Sequence, residues 1–449
     1  MNSINPFDLK EIRRWSLLDH TEMQMKIETA NSAFQTWSGF DLRARLYLIS
    51  ALKNILLEEK EKLSRNISLE MGKPITQSRA EIEKCALICD YYVEHAEDQL
   101  QDEPIETSAT RSWVSYEPLG VILGIMPWNF PFWQVFRFAI PAIAAGNTCL
   151  LKHAPNVQQC AHDMEELFLE AGFPDGVFTN LTISIEQTEK VLRHPFVKGV
   201  SLTGSTRAGA AVATVAGSEI KKSLLELGGN NAFIVMPDAD LDVAIERGFL
   251  GRYLNTGQSC IAAKRFIVHE SLEHEFVDGL IQKIREHKVG NPTDEQTFFG
   301  PLARLDLAET LMKQIKDSIG EGAVLKYGLE QCDCFVSPGI LTDVRPGMRV
   351  FDEETFGPVA AVTTFKNAEQ AIALTNQTIY GLGNSLITSD LEKHRWMFEK
   401  LRGGSLFVND FVASDPRLPF GGTDKSGYGR ELAENGIKEF VNTKTYFVR

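Results

Sequence analysis

The chain has 449 residues, 43% of them hydrophobic and 24% charged, and a formal net charge of −14. That is the balance of a globular chain long enough for about three domains of ordinary size, each able to bury a core. The negative charge, with no long Lys/Arg run to offset it, argues against sequence-independent binding to nucleic acid or an anionic membrane. An anionic substrate would need a local cation.

The first residues, Met1 to Asp8, lack a charged region followed by an apolar core and are too acidic for a transit peptide, so a cytoplasmic location is expected. Helical spacing of apolar residues follows around Leu46, Leu48, Ile49 and Leu52, and again around Cys85, Ile88 and Tyr92, so the first hundred residues read as largely helical. A strand is expected over Arg111 to Ile122, where Val114 and Tyr116 alternate with Ser115 and Glu117. The most apolar stretch, Leu119 to Ala145, is interrupted by Pro127, Asn129, Pro131, Gln134, Arg137 and Pro141, and is not read as a membrane span.

Short apolar runs then alternate with helical ones: strand 148–152, helix 158–170, strand 199–203 and helix 208–216. A second series runs through strand 232–235, helix 239–253 and strand 265–269. Such alternation predicts an α/β fold with two parallel units. The seven cysteines are odd in number and not closely paired, as expected of reduced thiols. Cys332-Asp333-Cys334 has no matching second pair, and His269 and His274 stand five apart rather than the four that share a helix face, so no metal is assigned.

Two polar residues stand alone in apolar, glycine-rich settings: Glu226 in Leu225-Glu226-Leu227-Gly228-Gly229, and Cys260 in Asn255-Thr256-Gly257-Gln258-Ser259-Cys260. A thiolate is a strong nucleophile, and a carboxyl in an apolar pocket has its pKa raised towards the range of a general base. Between bulky neighbours in Pro127-Trp128-Asn129-Phe130-Pro131, Asn129 is placed to donate a hydrogen bond to a developing oxyanion. Arg137, among Trp133, Phe136, Phe138 and Ile140, must be paired if buried, either with an internal carboxylate or with that of a substrate.

These three segments, in this order, resemble the aldehyde dehydrogenase superfamily over nearly the whole chain. Leu202-Thr203-Gly204-Ser205-Thr206 is similar to its phosphate-binding turn, and Glu353-Glu354-Thr355-Phe356-Gly357-Pro358 to its cofactor-orienting segment. Pro419-Phe420-Gly421-Gly422 followed by Ser426-Gly427-Tyr428-Gly429-Arg430 resembles its C-terminal signature. The resemblance implies a dinucleotide-binding domain over 1–108 and 123–226, a catalytic domain over 227–420, and a β oligomerisation arm with the C-terminal segment over 109–122 and 421–449. Assembly as a homodimer or homotetramer is expected.

The implied mechanism has the Cys260 thiolate attack an aldehyde, with Asn129 and the Cys260 amide stabilising the oxyanion. Hydride passes to a nicotinamide, and water activated by Glu226 hydrolyses the thioester. Cofactor contacts fall on Pro127, Trp128, Lys152, Pro155, Thr203, Gly204, Ser205, Leu227, Gly228, Glu354 and Phe356. NAD-specific relatives often carry a glutamate three residues after the ribose-binding lysine; Pro155 stands there, leaving NAD or NADP open with a slight lean to NAD. The closest resemblance is to bacterial succinate semialdehyde dehydrogenases, which implies a small aldehyde with a terminal carboxylate, held by Arg137, Trp133 and Ser414. The animal and some bacterial forms often have a second arginine six residues before the nucleophile, where this chain has Leu254. Glutarate semialdehyde as substrate, or a non-catalytic assembly protein on the same fold, are the alternatives.

Overall fold

Short apolar runs bounded by turns become the strands of two sheets, each parallel except for one edge strand, in the computed structural model, which describes residues 1–449. The first sheet runs, in spatial order, Gly427–Tyr428, Lys222–Glu226, Val197–Thr203, Val121–Met126, Thr148–His153 and Phe178–Asn180. Only the two-residue edge strand Gly427–Tyr428 is antiparallel to its neighbour. Every residue of Thr148–His153 is buried, as expected where helices cover both faces. Strand order reverses between Val121–Met126 and Val197–Thr203, and at such a switch point open α/β sheets bind ligands beyond the carboxyl ends of their strands. Pro127 to Pro131 and Thr203 to Ser205 leave the sheet there.

The second sheet has seven strands, in the order Val324–Tyr327, Gly339–Thr342, Val359–Phe365, Ala263–His269, Asn231–Val235, Asn384–Ile387 and Leu406–Val408. Ala263–His269 follows Cys260 almost at once, so the nucleophile stands at the entry to a central strand. The helices expected in the first hundred residues are His20–Trp37, Leu42–Glu58, Lys60–Met71 and Ile75–Gln99. They are preceded by a hairpin of Asn2–Ile4 with Glu11–Arg14, which helical periodicity does not reveal.

The strand expected over 111–122 is two strands. Gly120, at φ 138°, breaks the run, and a Cβ there would lie 2.9 Å from Cγ of Lys198. Arg111–Pro118 pairs with Val441–Val448 and with Glu103–Pro104 in a separate three-stranded sheet, whereas Val121 and Ile122 already belong to the first large sheet. Of 421–449, only Val441–Val448 joins that three-stranded sheet, where Tyr446 stacks on Trp113 at 4.6 Å between ring centroids.

The helix Trp133–Ala144 is buried on every side, so its position is fixed by packing all round. The Phe138 ring lies against Gly124 of the strand beneath, where a Cβ would come 2.5 Å from Cε1. At its start, the amides of Phe132 and Trp133 donate to Oε1 of Glu81 at 2.9 and 3.0 Å, and Lys73 pairs with the other carboxylate oxygen. A carboxylate at a helix N-terminus satisfies orphan amides and complements the dipole. No helix in the structure is long and apolar enough to cross a membrane.

Candidate active site

Two cavities meet at the nucleophile. One, of about 260 Å³, is lined by Lys73, Glu81, Lys84, Trp133, Arg137, Ser414 and Phe420 among others. The other, of about 210 Å³, is lined by Pro127, Trp128, Asn129, Thr203, Gly204, Ser205, Leu227, Gly228, Glu354 and Phe356. They share Gln134 and Cys260, so Cys260 can reach a group entering from either side. Trp133 and Ser414 therefore stand in a different cavity from the expected cofactor residues.

The loop carrying Cys260 is held in an unusual backbone shape. Asn255 and Thr256 take φ of 54° and 53°, which a β-branched residue such as Thr256 adopts only under constraint. The constraint is a set of hydrogen bonds. The Asn255 amide donates to Gln77 Oε1 at 2.7 Å, and Asn255 Nδ2 to the Asn129 carbonyl at 2.8 Å. Thr256 Oγ1 donates to the Gly300 carbonyl at 3.2 Å, and Gln258 Oε1 accepts from the Ala303 amide at 2.9 Å. Asn129 Nδ2 donates to the Gln258 carbonyl at 3.0 Å, which fixes the amide and leaves its second hydrogen for an oxyanion. His153 supports the same turn: as its Nε2–H tautomer it donates to the Pro131 carbonyl at 3.0 Å while Nδ1 accepts from the Ala154 amide. Burial holds this imidazole down at about 4, hence neutral.

Burial pushes the Cys260 thiol up to about 11, against the opposing pull of Lys264 and Arg137. Lys264 was not legible as a site residue. Its amine donates to the Cys260 carbonyl at 2.8 Å and to Glu354 Oε1 at 2.6 Å, which tethers the nucleophile to the cofactor-orienting segment. Arg252 adds a second tether by donating to the carbonyls of Thr355, at 3.3 Å, and Gly357.

Glu226 is buried, and burial, with the charge of Glu431 beside it, holds its carboxyl well above the usual carboxylate range. It lines neither cavity. Its Oε1 is turned towards Gly421, where a Cβ would lie only 2.7 Å away, and has no hydrogen-bond partner. The sequence leaves Arg137 a choice between an internal carboxylate and that of a substrate, and favours the substrate. The structure shows the internal one: Arg137 forms a buried ion pair with Glu431, lies over the Phe420 ring at 4.5 Å, and reaches Thr203 Oγ1 at 3.4 Å. Holding a substrate is thus not needed to satisfy its charge.

On the cofactor side, Ser205 caps the helix Thr206–Ser218 by accepting the Ala208 amide. A Cβ on Gly204 would make ordinary contact with Leu202 Cδ2 at 3.6 Å, whereas a Cβ on Gly228 would strike Glu354 Oε2 at 2.3 Å. Lys152 stands beside Ile125 in the sheet, is buried, and has no carboxylate or hydrogen-bond partner. An amine with no protein acceptor, at the end of a mostly buried side chain, can take one from a ligand, and the hydroxyls or phosphate of a dinucleotide ribose fit that role. Pro155, three residues on, is exposed.

A doubly wound sheet with a glycine turn and a helix start at its switch point, joined to a thiol and an oriented amide, defines a dinucleotide-dependent enzyme of carbonyl chemistry. The chain belongs to the aldehyde dehydrogenase family, whose model matches residues 1–446. It is 43% identical to a probable succinate-semialdehyde dehydrogenase [NADP(+)] of a Synechocystis species, over 99% of both chains. It is 41% identical to succinate semialdehyde dehydrogenase [NAD(P)+] of Escherichia coli, over 99% of this chain and 96% of the other. The crystal structure of succinic semialdehyde dehydrogenase from Streptococcus pyogenes with NADP+ superimposes at a TM-score of 0.97 and 35% identity, covering 100% of this chain and 99% of that one. The slight lean to NAD expected from Pro155 finds no support here, since these names specify NADP+ or both cofactors.

Two outcomes follow from the site's electrostatics. Alkylation of the Cys260 peptide by iodoacetamide in the cofactor-free protein should climb about tenfold per pH unit between about pH 7 and pH 10, because only the thiolate reacts. A plateau below about pH 9 would mean that burial does not govern the thiol. Arg137→Met should cost about 3–5 kcal/mol in denaturant unfolding by leaving Glu431 buried and alone, and Glu431→Leu in the same background should recover part of that loss. Strictly additive single losses would show that the two charges do not act as a pair.

Proposed function

We propose that the chain oxidises succinate semialdehyde to succinate with NADP as the preferred nicotinamide cofactor. The observation that carries this reading is the shared position of Cys260 between a cavity holding cationic side chains and one lined by the residues expected to contact a dinucleotide. The printed activities of the relatives point the same way.

Cys260, once ionised, attacks the aldehyde carbon, and the free hydrogen of the Asn129 amide, together with the Cys260 backbone amide, receives the oxyanion. When bound, the nicotinamide supplies a hydride acceptor. Glu354, held by Lys264 and by the Gly229 amide at 3.1 Å, and Phe356, packed edge-on against Trp128, border the space for its ribose and ring. The thioester left on Cys260 needs water and a base. Glu226 suits the task because burial raises its carboxyl, which makes its ionised form a stronger base than an exposed carboxylate, and its Oε1 has no hydrogen bond to break before turning towards the thioester. NADP is favoured because Lys152, if it holds the adenosine ribose, would offer an amine with no protein partner, and Pro155 offers no opposing charge. The unpaired outer edge of Val441–Val448 supports assembly with further copies, as a homodimer or homotetramer, and nothing in the composition calls for a nucleic acid or a membrane partner. A cytoplasmic setting fits the seven unpaired thiols.

The test is formation of reduced nicotinamide across a panel of aldehydes with each cofactor. Succinate semialdehyde with NADP should give the highest kcat/KM, and Pro155→Glu should depress NADP use more than NAD use. Equal rates with uncharged aldehydes of the same length, or an equal loss of both cofactors, would contradict the substrate and cofactor parts respectively.

A further inference from the structure

Three ammonium or guanidinium groups line the substrate-side cavity, and two are already neutralised. Lys73 pairs with Glu81, and Arg137 with Glu431. Lys84, on the helix Ile75–Gln99, has no carboxylate within 4 Å. Its amine donates to Ser414 Oγ at 2.7 Å and lies over the Trp133 ring at 4.4 Å. Trp133 Nε1 donates to the same oxygen at 3.1 Å. With two N–H groups pointed at it, the Ser414 oxygen has both lone pairs engaged, so its own hydrogen is left to be donated. An ammonium with hydrogens to spare and a hydroxyl forced to act as donor thus stand side by side on the wall of the cavity that also holds Cys260. Both want an anionic oxygen.

We infer that Lys84, with Ser414, binds the terminal carboxylate of the substrate and is the residue that sets the preference for carboxylate-bearing aldehydes. This rests on the reading that the substrate carries such a carboxylate. It assigns to a helix far from the recognised motifs the task that the sequence suggests for Arg137, whose charge Glu431 already occupies. Trp133 contributes by holding the hydroxyl and by offering its ring face to the ammonium, a contact that keeps Lys84 charged in a partly dry setting. Burial, with the charge of Arg137, lowers the Lys84 amine to about 8. The groups facing it are Glu81 and Cys85 on its own helix, Arg137 on the helix Trp133–Ala144, and Asp415 in the loop after Ser414. A bound carboxylate would stabilise the charged form.

The experiment compares succinate semialdehyde with butyraldehyde, which lacks the terminal carboxylate, in the parent enzyme, in Lys84→Met and in Lys84→Arg. The expected result is a fall of at least about tenfold in the ratio of kcat/KM values in Lys84→Met, carried by KM, on the scale of a lost charge pair. Lys84→Arg should restore much of that ratio. In the parent, KM for succinate semialdehyde should rise as pH passes about 8 while KM for butyraldehyde does not, a readout that needs no substitution. If the parent shows no preference for succinate semialdehyde, the functional reading itself falls, and this assignment with it. If the parent shows the preference but Lys84→Met keeps it, or the rise in KM with pH is common to both substrates, Lys84 is not the anchor, although the activity stands.

Discussion

The hydrogen bonds that hold Asn255 and Thr256 in left-handed backbone are the constraint on which the rest of the site depends. Each such residue costs of order 1–3 kcal/mol and persists only where its surroundings over-determine it. Here Gln77 comes from the first helical region, the Asn129 carbonyl from the turn after the first sheet's strand Val121–Met126, and Gly300 and Ala303 from the segment after the second sheet's early strands. The nucleophile loop is therefore where separate parts of the fold are bound together. Because Asn255 grips the backbone of Asn129 while the side chain of Asn129 grips the Gln258 carbonyl, oxyanion donor and thiol are set relative to each other by mutual bonds. Gly257 completes the turn at φ 73°, where a Cβ would lie 2.4 Å from the Gly357 carbonyl oxygen. That close approach joins the thiol loop to the segment carrying Glu354 and Phe356.

Around this loop, charge is arranged by pairing. Lys73 with Glu81 starts the helix below the oxyanion turn, Lys264 with Glu354 ties the thiol to the cofactor side, and Arg137 with Glu431 locks that helix to the residue after the C-terminal signature. A buried pair adds little net stability compared with an apolar substitute, but removing one member leaves a stranded charge. The pairs therefore act mainly as fasteners. What they leave over is informative: Lys84 in the cavity with Cys260, and Lys152 in the first sheet beside Ile125, have no carboxylate of their own, in a protein whose net charge is −14. An acidic chain that leaves two such cations unpaired is suited to a substrate and a cofactor that are both anionic.

Much of this was legible in the sequence because the chemistry is local. Asn129 and Cys260 announce themselves through their neighbours, and both line the cavities where they are expected. The alternation of short apolar runs with helices likewise gives the two mostly parallel sheets. The break at Gly120 escaped because strand-forming residues continue on both sides of it and only the sheet pairing shows that the partners change. Glu431 escaped because its meaning lies in contact with Arg137, distant in sequence, and it stands one residue beyond the C-terminal signature with nothing to mark it. Lys84 sits in a helix legible only by its apolar side, next to Cys85 and near Ile88 and Tyr92, so its polar neighbour Ser414 is revealed by folding alone. Lys264 similarly reads as one more residue of a strand until its carbonyl and carboxylate partners are seen.

The central claim is that Cys260 carries the substrate as a thioester that Glu226 then releases. It is tested most directly by mass spectrometry of Glu226→Gln mixed with succinate semialdehyde and NADP and quenched in acid. Loss of a general base slows its step by about 10²–10⁴-fold, so the acyl enzyme should accumulate. The expected result is one succinyl group on the Cys260 peptide, absent from a Cys260→Ala control. Formation of reduced nicotinamide with no acyl group on Cys260 would contradict the account.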